Sequence, residues 1–135
     1  MLVDTVKKYY DKEYDLNCAE TIIYAANEEY GLNLSHQTLK TMAAFGGGMA
    51  VESTCGVITG SIAVLGIMFT KEKAHESDRI KLLTQEFIDT FVSELKTESC
   101  ARLKNRYRDD EKRCADIVFK GAEILDRIVN QNKEE

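Results

Sequence analysis

An all-α fold, a single-domain helical bundle of about five to six helices spanning residues 1–135, is what this sequence predicts, and three observations carry it. Proline is absent, which removes much of the punctuation of an all-β chain, and tryptophan is absent too. Leucine, isoleucine and alanine are spread among charged residues that make up 30% of the chain. Apolar positions recur at three- and four-residue steps in several segments, the periodicity of helices with one buried face. A chain of 135 residues is long enough for one hydrophobic core and short for two.

The elements follow in order. Leu2, Val3, Val6, Tyr9 and Tyr10 share a helical stripe, and DKEYD then forms a polar connection. Asn17 is an N-cap with Glu20 three residues on, the signature of a capping box, before the stripe of Ile22, Ile23, Ala26 and Tyr30. Gly31 ends that second helix. Ser35 caps a third, short one through Leu39, Met42, Ala43 and Phe45, which stops at the glycine triplet.

Thr54 is expected to cap a fourth helix from Cys55 to about Phe69, apolar almost all round. Gly56, Gly60, Ala63 and Gly66 lie along one side of it, where small residues let another backbone come close, so this helix belongs at the centre of the packing. The same glycine-lined face invites a homodimer. Ser77 or Asp78 opens a fifth helix with the clearest stripe, Ile80, Leu83, Phe87, Phe91 and Leu95. Thr97 to Lys112 is charge-rich and broken, a kink or a short helix capped by Thr97 or Ser99. The last helix is expected from about Asp110 with Cys114, Ile117, Val118, Gly121, Ile124, Leu125 and Ile128 inward, and QNKEE should fray.

Charge and hydropathy exclude some functions. A net charge of −5 argues against general nucleic-acid binding, which needs a basic surface. The longest apolar run, Gly56 to Phe69, is shorter than the roughly 20 residues a spanning helix needs, so no membrane insertion is expected. The segment MLVDTVKKYYDKEYD has no basic start followed by an apolar run, so it does not read as a secretory signal, and a cytoplasmic location is expected. In a reducing compartment the four cysteines are free thiols, metal ligands or transient redox partners rather than structural disulfides.

The candidate site is the stretch FGGGMAVESTCGVITG, residues 45–60. A glycine inside a helix costs roughly 1 kcal/mol relative to alanine, so Gly46, Gly47, Gly48, Gly56 and Gly60 point to close backbone approach or positive φ around Cys55. They are candidate structural support for a cofactor or reactive group. Neither a Gly-Lys-Ser/Thr nor a preceding strand accompanies them, which argues against a phosphate-binding loop.

Cys18, Cys100 and Cys114 complete the set. Cys18-Ala19, Cys100-Ala101 and Cys114-Ala115 each precede an apolar residue three or four positions on, Ile22, Leu103 and Ile117, and Cys55 precedes Ile58 in the same way. All four sulfurs therefore face inward. Cys18 and Cys55 fall in the first turn of a helix, where the unpaired N–H groups favour thiolate, and Cys114 shares the effect after Asp109-Asp110. Between Cys100 and Cys114 stand Arg102, Lys104, Arg106, Arg108, Lys112 and Arg113, read first as a solvated charged turn balanced by Asp109, Asp110 and Glu111, and second as a cluster that stabilises thiolates or docks an acidic partner. No Cys-x-x-Cys exists, so any pair or cluster must be assembled by tertiary packing. His36 and His75 read as surface residues, and Tyr14, Tyr24 and Tyr30 as core-edge residues.

With Cys18, Phe45-Gly-Gly-Gly-Met49, Cys55-Gly-Val-Ile-Thr-Gly60, Cys100 and Cys114 in this order, the chain resembles the redox-active protein family named for its C, GCAxxG, C, C pattern, over about Tyr9 to Val129. Thr54 stands where that pattern has glycine, and Val57 where it has alanine, and this extra bulk is expected to narrow a pocket there. The resemblance implies a small helical protein whose redox thiols are Cys18, Cys55, Cys100 and Cys114, with an unknown redox partner.

Three functions follow: a thiol redox protein cycling between dithiol and disulfide with Cys55 as attacking thiolate; a module in which the four cysteines hold zinc, an iron–sulfur cluster or another cofactor; or a structural or regulatory oligomer with buried cysteines.

Overall fold

Helix α4 (Gly56–Phe69) lies between α2 (Cys18–Glu29), α5 (Arg79–Leu95) and α7 (Ala115–Asn132), and packs on all three in the computed structural model, which describes residues 1–133. Helix α1 (Leu2–Tyr9) closes the bundle against α2 and α7. Two short helices, α3 (His36–Leu39) and α6 (Cys100–Tyr107), complete an all-α fold. Among the described residues no helix is long and apolar enough to cross a membrane.

The central place of α4 follows from its sequence. Val57, Ile58, Val64 and Leu65 are buried, and Gly56 and Gly60 give it a flat side. A methyl group at Gly60 would stand 2.8 Å from the Ala19 carbonyl oxygen, so only glycine lets α4 press on the backbone of α2. At Gly56 and Gly60 that face is covered by α2 within the chain. Gly66 faces open space and takes no part in the contact expected of it. Phe87 and Phe91 of α5 stack with ring centroids 6.0 Å apart and are fully buried against the same core.

Capping sets several boundaries. The Asn17 carboxamide oxygen accepts the Glu20 N–H at 2.7 Å, and the Glu20 carboxylate accepts the Asn17 N–H at 3.0 Å, the expected capping box. Ser35 and Ser99 each accept an N–H three residues on, from Thr38 and Arg102. The third helix is shorter than expected: α3 ends at Leu39 and Lys40–Met42 winds on as a tighter turn.

The last helix begins at Ala115 rather than near Asp110. The Asp109 carboxylate accepts the N–H groups of Glu111 and Lys112, which turns the chain, and Arg113 takes a left-handed φ of 55° that no helix can contain. At the other end α7 runs through Gln131 and Asn132, so the first part of QNKEE is helical, and Glu134 and Glu135 lie outside the described residues.

Asp126 of α7 is buried and anchors the start of the chain. Its carboxylate accepts the Leu2 N–H at 3.2 Å, the Tyr30 hydroxyl at 2.6 Å and the Asn130 side-chain N–H at 3.2 Å. These bonds satisfy a buried charge that would otherwise cost several kcal/mol, and burial with the Asp126 hydrogen bond pushes the Tyr30 phenol far above its usual range.

Candidate redox-thiol site

Each cysteine stands at the start of a helix. Cys18 and Cys100 are the first residues of α2 and α6, and Cys55 and Cys114 are the N-caps of α4 and α7. The four N-termini converge on one cavity of about 30 Å³, walled by all four cysteines with Gly47, Gly56, Leu103, Lys104 and Ile117. Cys55 and Cys100 are buried and Cys18 and Cys114 half-buried, all inward as the sequence predicts.

Backbone contacts hold two of them together. The Cys55 N–H donates to the Glu98 carbonyl at 2.9 Å and the Cys100 N–H to the Ser53 carbonyl at 2.6 Å, so Thr54 and Ser99 pair antiparallel between them. Thr54 is thus a bridge residue and Cys55 itself is the N-cap, one position later than expected. This bridge left no signal in the sequence.

Before it, Gly47, Gly48, Met49 and Ala50 are four consecutive left-handed residues, φ 60–64°, and Glu52 follows at 56°. A side chain at Gly48 would stand 2.5 Å from the Ser53 nitrogen and 2.7 Å from the Cys100 Cβ. Non-glycine residues held left-handed cost about 1–2 kcal/mol each, a strain typical of functional loops.

Cys114 is placed by Tyr10, the residue that caps the end of α1. The Cys114 N–H donates to the Tyr10 hydroxyl at 2.8 Å. The Arg113 guanidinium lies 4.4 Å from the Tyr10 ring centroid and donates to the Tyr10 carbonyl at 2.8 Å. Lys104 in the cavity wall pairs with Glu52 at 2.9 Å. The basic stretch is therefore not uniformly a solvated turn: Lys104, Arg108 and Arg113 are engaged at the site.

The four thiols differ electrostatically. A hydrogen bond from the Cys18 thiol, helped by Arg108 and Lys104, draws Cys114 down to about 6 against the opposing effect of its burial. Cys18 moves well up, because the same bond favours its protonated form and burial adds to it. Burial pushes the Cys55 thiol up to about 12, with the Val57 backbone N–H opposing. Cys100 is raised by burial while Lys104 pulls the other way. The helix N-terminus, from which a low value is expected at Cys55, is outweighed there by desolvation.

Zinc or an iron–sulfur cluster needs its thiolates around one point. Among the described residues no group of three or more His, Cys, Asp or Glu side chains is arranged to hold a metal ion. The sulfurs line a common cavity without being gathered round one point as a ligand set. The two substitutions expected to narrow the pocket do not line it: Val57 points to α7, where its Cγ1 would be 2.1 Å from a methyl on Gly121, and Thr54 is held in the bridge. Of the expected glycines, Gly47 and Gly56 line the cavity, Gly46 packs on Asn17, and Gly48 and Gly60 hold Cys100 and α2 close. Tyr10 is a site residue that sequence reasoning missed, whereas Lys104 and Arg108 belong to the basic cluster whose second reading is the stabilisation of thiolates. Tyr10 left no signal because it lies 104 residues from Cys114 in sequence.

No curated protein and no solved structure matches the chain. The family described as "Putative redox-active protein (C_GCAxxG_C_C)" matches residues 16–128, which take in all four cysteines, the whole of α2, α4 and α6 and most of α7. On that match, spanning most of its length, the chain belongs to the C_GCAxxG_C_C family.

Proposed function

We propose that the protein is a thiol redox carrier in which Cys114 is the attacking thiolate and Cys18 its resolving partner. One observation carries the reading: Cys18 and Cys114 line one cavity shared by all four cysteines, where the Cys18 thiol is the largest influence favouring the Cys114 thiolate. Membership of a redox-active family agrees with it.

The chemistry balances as a two-electron exchange. The Cys114 sulfur attacks one atom of an acceptor, a disulfide or a peroxide, and the acceptor's S–S or O–O bond breaks as the leaving group takes the electron pair. Cys18 gives its proton to that leaving group. The Cys18 sulfur then attacks the Cys114 sulfur and displaces the second half of the acceptor, which leaves one S–S bond in the chain and an acceptor richer by two electrons. A dithiol then attacks the Cys18–Cys114 bond, leaves as its own disulfide and returns both cysteines to the reduced state.

Arg108 and Lys104 stabilise the Cys114 thiolate, and Tyr10 holds its backbone. Cys55, the thiol that helix position alone marks as nucleophile, supports the wall together with Cys100 and has too high a pKa to attack at neutral pH. The test is mild oxidation of the wild type and of C114S, C18S and C55S, with the bond located by peptide mapping. A Cys18–Cys114 bond in wild type and C55S, lost in the other two, is expected. A bond that survives C114S would overturn the assignment.

A further inference from the structure

We infer that the oxidant taken by this site is a small peroxide, hydrogen peroxide in size, rather than a disulfide or a bulky hydroperoxide. This rests on the thiol redox reading above and adds the substrate class to it. The cavity beside the thiols holds about 30 Å³. A single water needs roughly 10–15 Å³ of such space, so a molecule of two oxygen atoms fits and one with a branched carbon body does not. Its walls leave little room to yield. Leu103 and Ile117 are each 1% exposed, and a methyl on Gly56 would already lie 3.1 Å from the Phe45 carbonyl oxygen.

The wall chemistry suits an O–O bond. Lys104, in the cavity wall, brings an ammonium group that acts on both the Cys100 and the Cys114 sulfur, and the Arg108 guanidinium adds positive charge that favours the Cys114 thiolate. Positive charge there stabilises the hydroxide that leaves when an oxygen is transferred to sulfur. The Cys114 thiolate attacks one peroxide oxygen, the O–O bond breaks, an S–O bond forms, and the departing hydroxide takes the Cys18 proton to become water. Cys18 then attacks the Cys114 sulfenic acid; the S–O bond breaks, the S–S bond forms, and the second hydroxide takes a proton from solvent. One thiolate, one thiol, one peroxide and one proton give one disulfide and two waters. A resolving thiol in the wall of the same small cavity closes the disulfide before the sulfenic acid meets a second peroxide.

The test uses reduced full-length wild-type protein mixed with hydrogen peroxide, tert-butyl hydroperoxide, oxidised glutathione or the small thiol oxidant diamide. Each rate of Cys18–Cys114 bond formation is divided by the rate of the same reagent with free cysteine, which removes intrinsic reactivity. Hydrogen peroxide is expected to show at least about a tenfold advantage over tert-butyl hydroperoxide and oxidised glutathione. In C18S, hydrogen peroxide should leave a sulfenic acid on Cys114 that dimedone traps. Equal normalised rates, or no dimedone adduct, overturn the peroxide assignment. Bond formation with diamide or oxidised glutathione but not with peroxide overturns it while leaving the thiol reading standing, and failure of every reagent to join Cys18 to Cys114 overturns both.

Discussion

Gly60 meets the main chain at Ala19, with room for a hydrogen but not for a methyl, whose carbon would lie 2.8 Å from the carbonyl oxygen and 3.0 Å from the Cα. Because Ala19 follows Cys18 and Gly60 lies one helical turn beyond Gly56, this contact fixes how the starts of α2 and α4 meet. G60A must push two buried helices apart, and a loss of about 1–3 kcal/mol is expected. Urea unfolding followed by circular dichroism measures it, and the Cys18–Cys114 bond should also form more slowly.

Gly66 provides the contrasting case on the same helix. A methyl there meets nothing within 4 Å, and its backbone is ordinary helix. G66A is expected to stabilise the protein by about 0.4–1 kcal/mol, since alanine restricts the unfolded chain and suits a helix better than glycine. A raised urea midpoint at unchanged slope confirms it.

G48A should damage the site more than the fold. The new methyl would crowd the Ser53 nitrogen and the Cys100 Cβ from a backbone already at φ +63°. Loss of the Cys100–Ser53 hydrogen bond and strain at position 48 together are expected to cost about 2–4 kcal/mol. Faster alkylation of Cys100 in the native state checks that the loop has lifted from it.

The pH dependence of thiol reactivity separates Cys114 from Cys55. A pKa lowered to about 6 leaves Cys114 mostly thiolate above that pH, so its iodoacetamide rate should rise through pH 6 and level off near neutrality. The groups acting on it are the Cys18 thiol of α2 and the cations Arg108 and Lys104, with its own burial opposing them; Tyr10 of α1 also contacts it, accepting its backbone N–H. Cys55, raised to about 12 by burial, should stay unreactive across that range. In C18A, which removes the thiol donor, the Cys114 midpoint is expected to move up. Mass spectrometry of labelled peptides reads both sites at once.

Y30F tests the buried carboxylate. It removes the 2.6 Å bond to Asp126, which keeps the Leu2 N–H and the Asn130 side chain as donors. A loss of about 1.5–3 kcal/mol is expected, the range for hydrogen bonds to charged groups. Because Asp126 lies away from the thiol cavity walls, the rate of Cys18–Cys114 bond formation should be unchanged.

Local chemistry was readable residue by residue. The absence of proline and the apolar stripes determined an all-α chain, Asn17 and Glu20 marked the start of α2, and the glycine triplet and four inward cysteines marked the site. These signals depend on neighbours within about four residues, which is the range over which capping and helical periodicity act. What tertiary structure alone decided is longer in range. It brought four helix starts to one cavity, joined Cys55 to Cys100 through the Thr54–Ser99 bridge, and set Tyr10 under Cys114 from more than a hundred residues away. It also reversed the electrostatic order of the thiols. Helix position favours thiolate at Cys55, but desolvation depends on what surrounds a sulfur, and only the fold buries Cys55 while giving Cys114 a thiol donor and two cations.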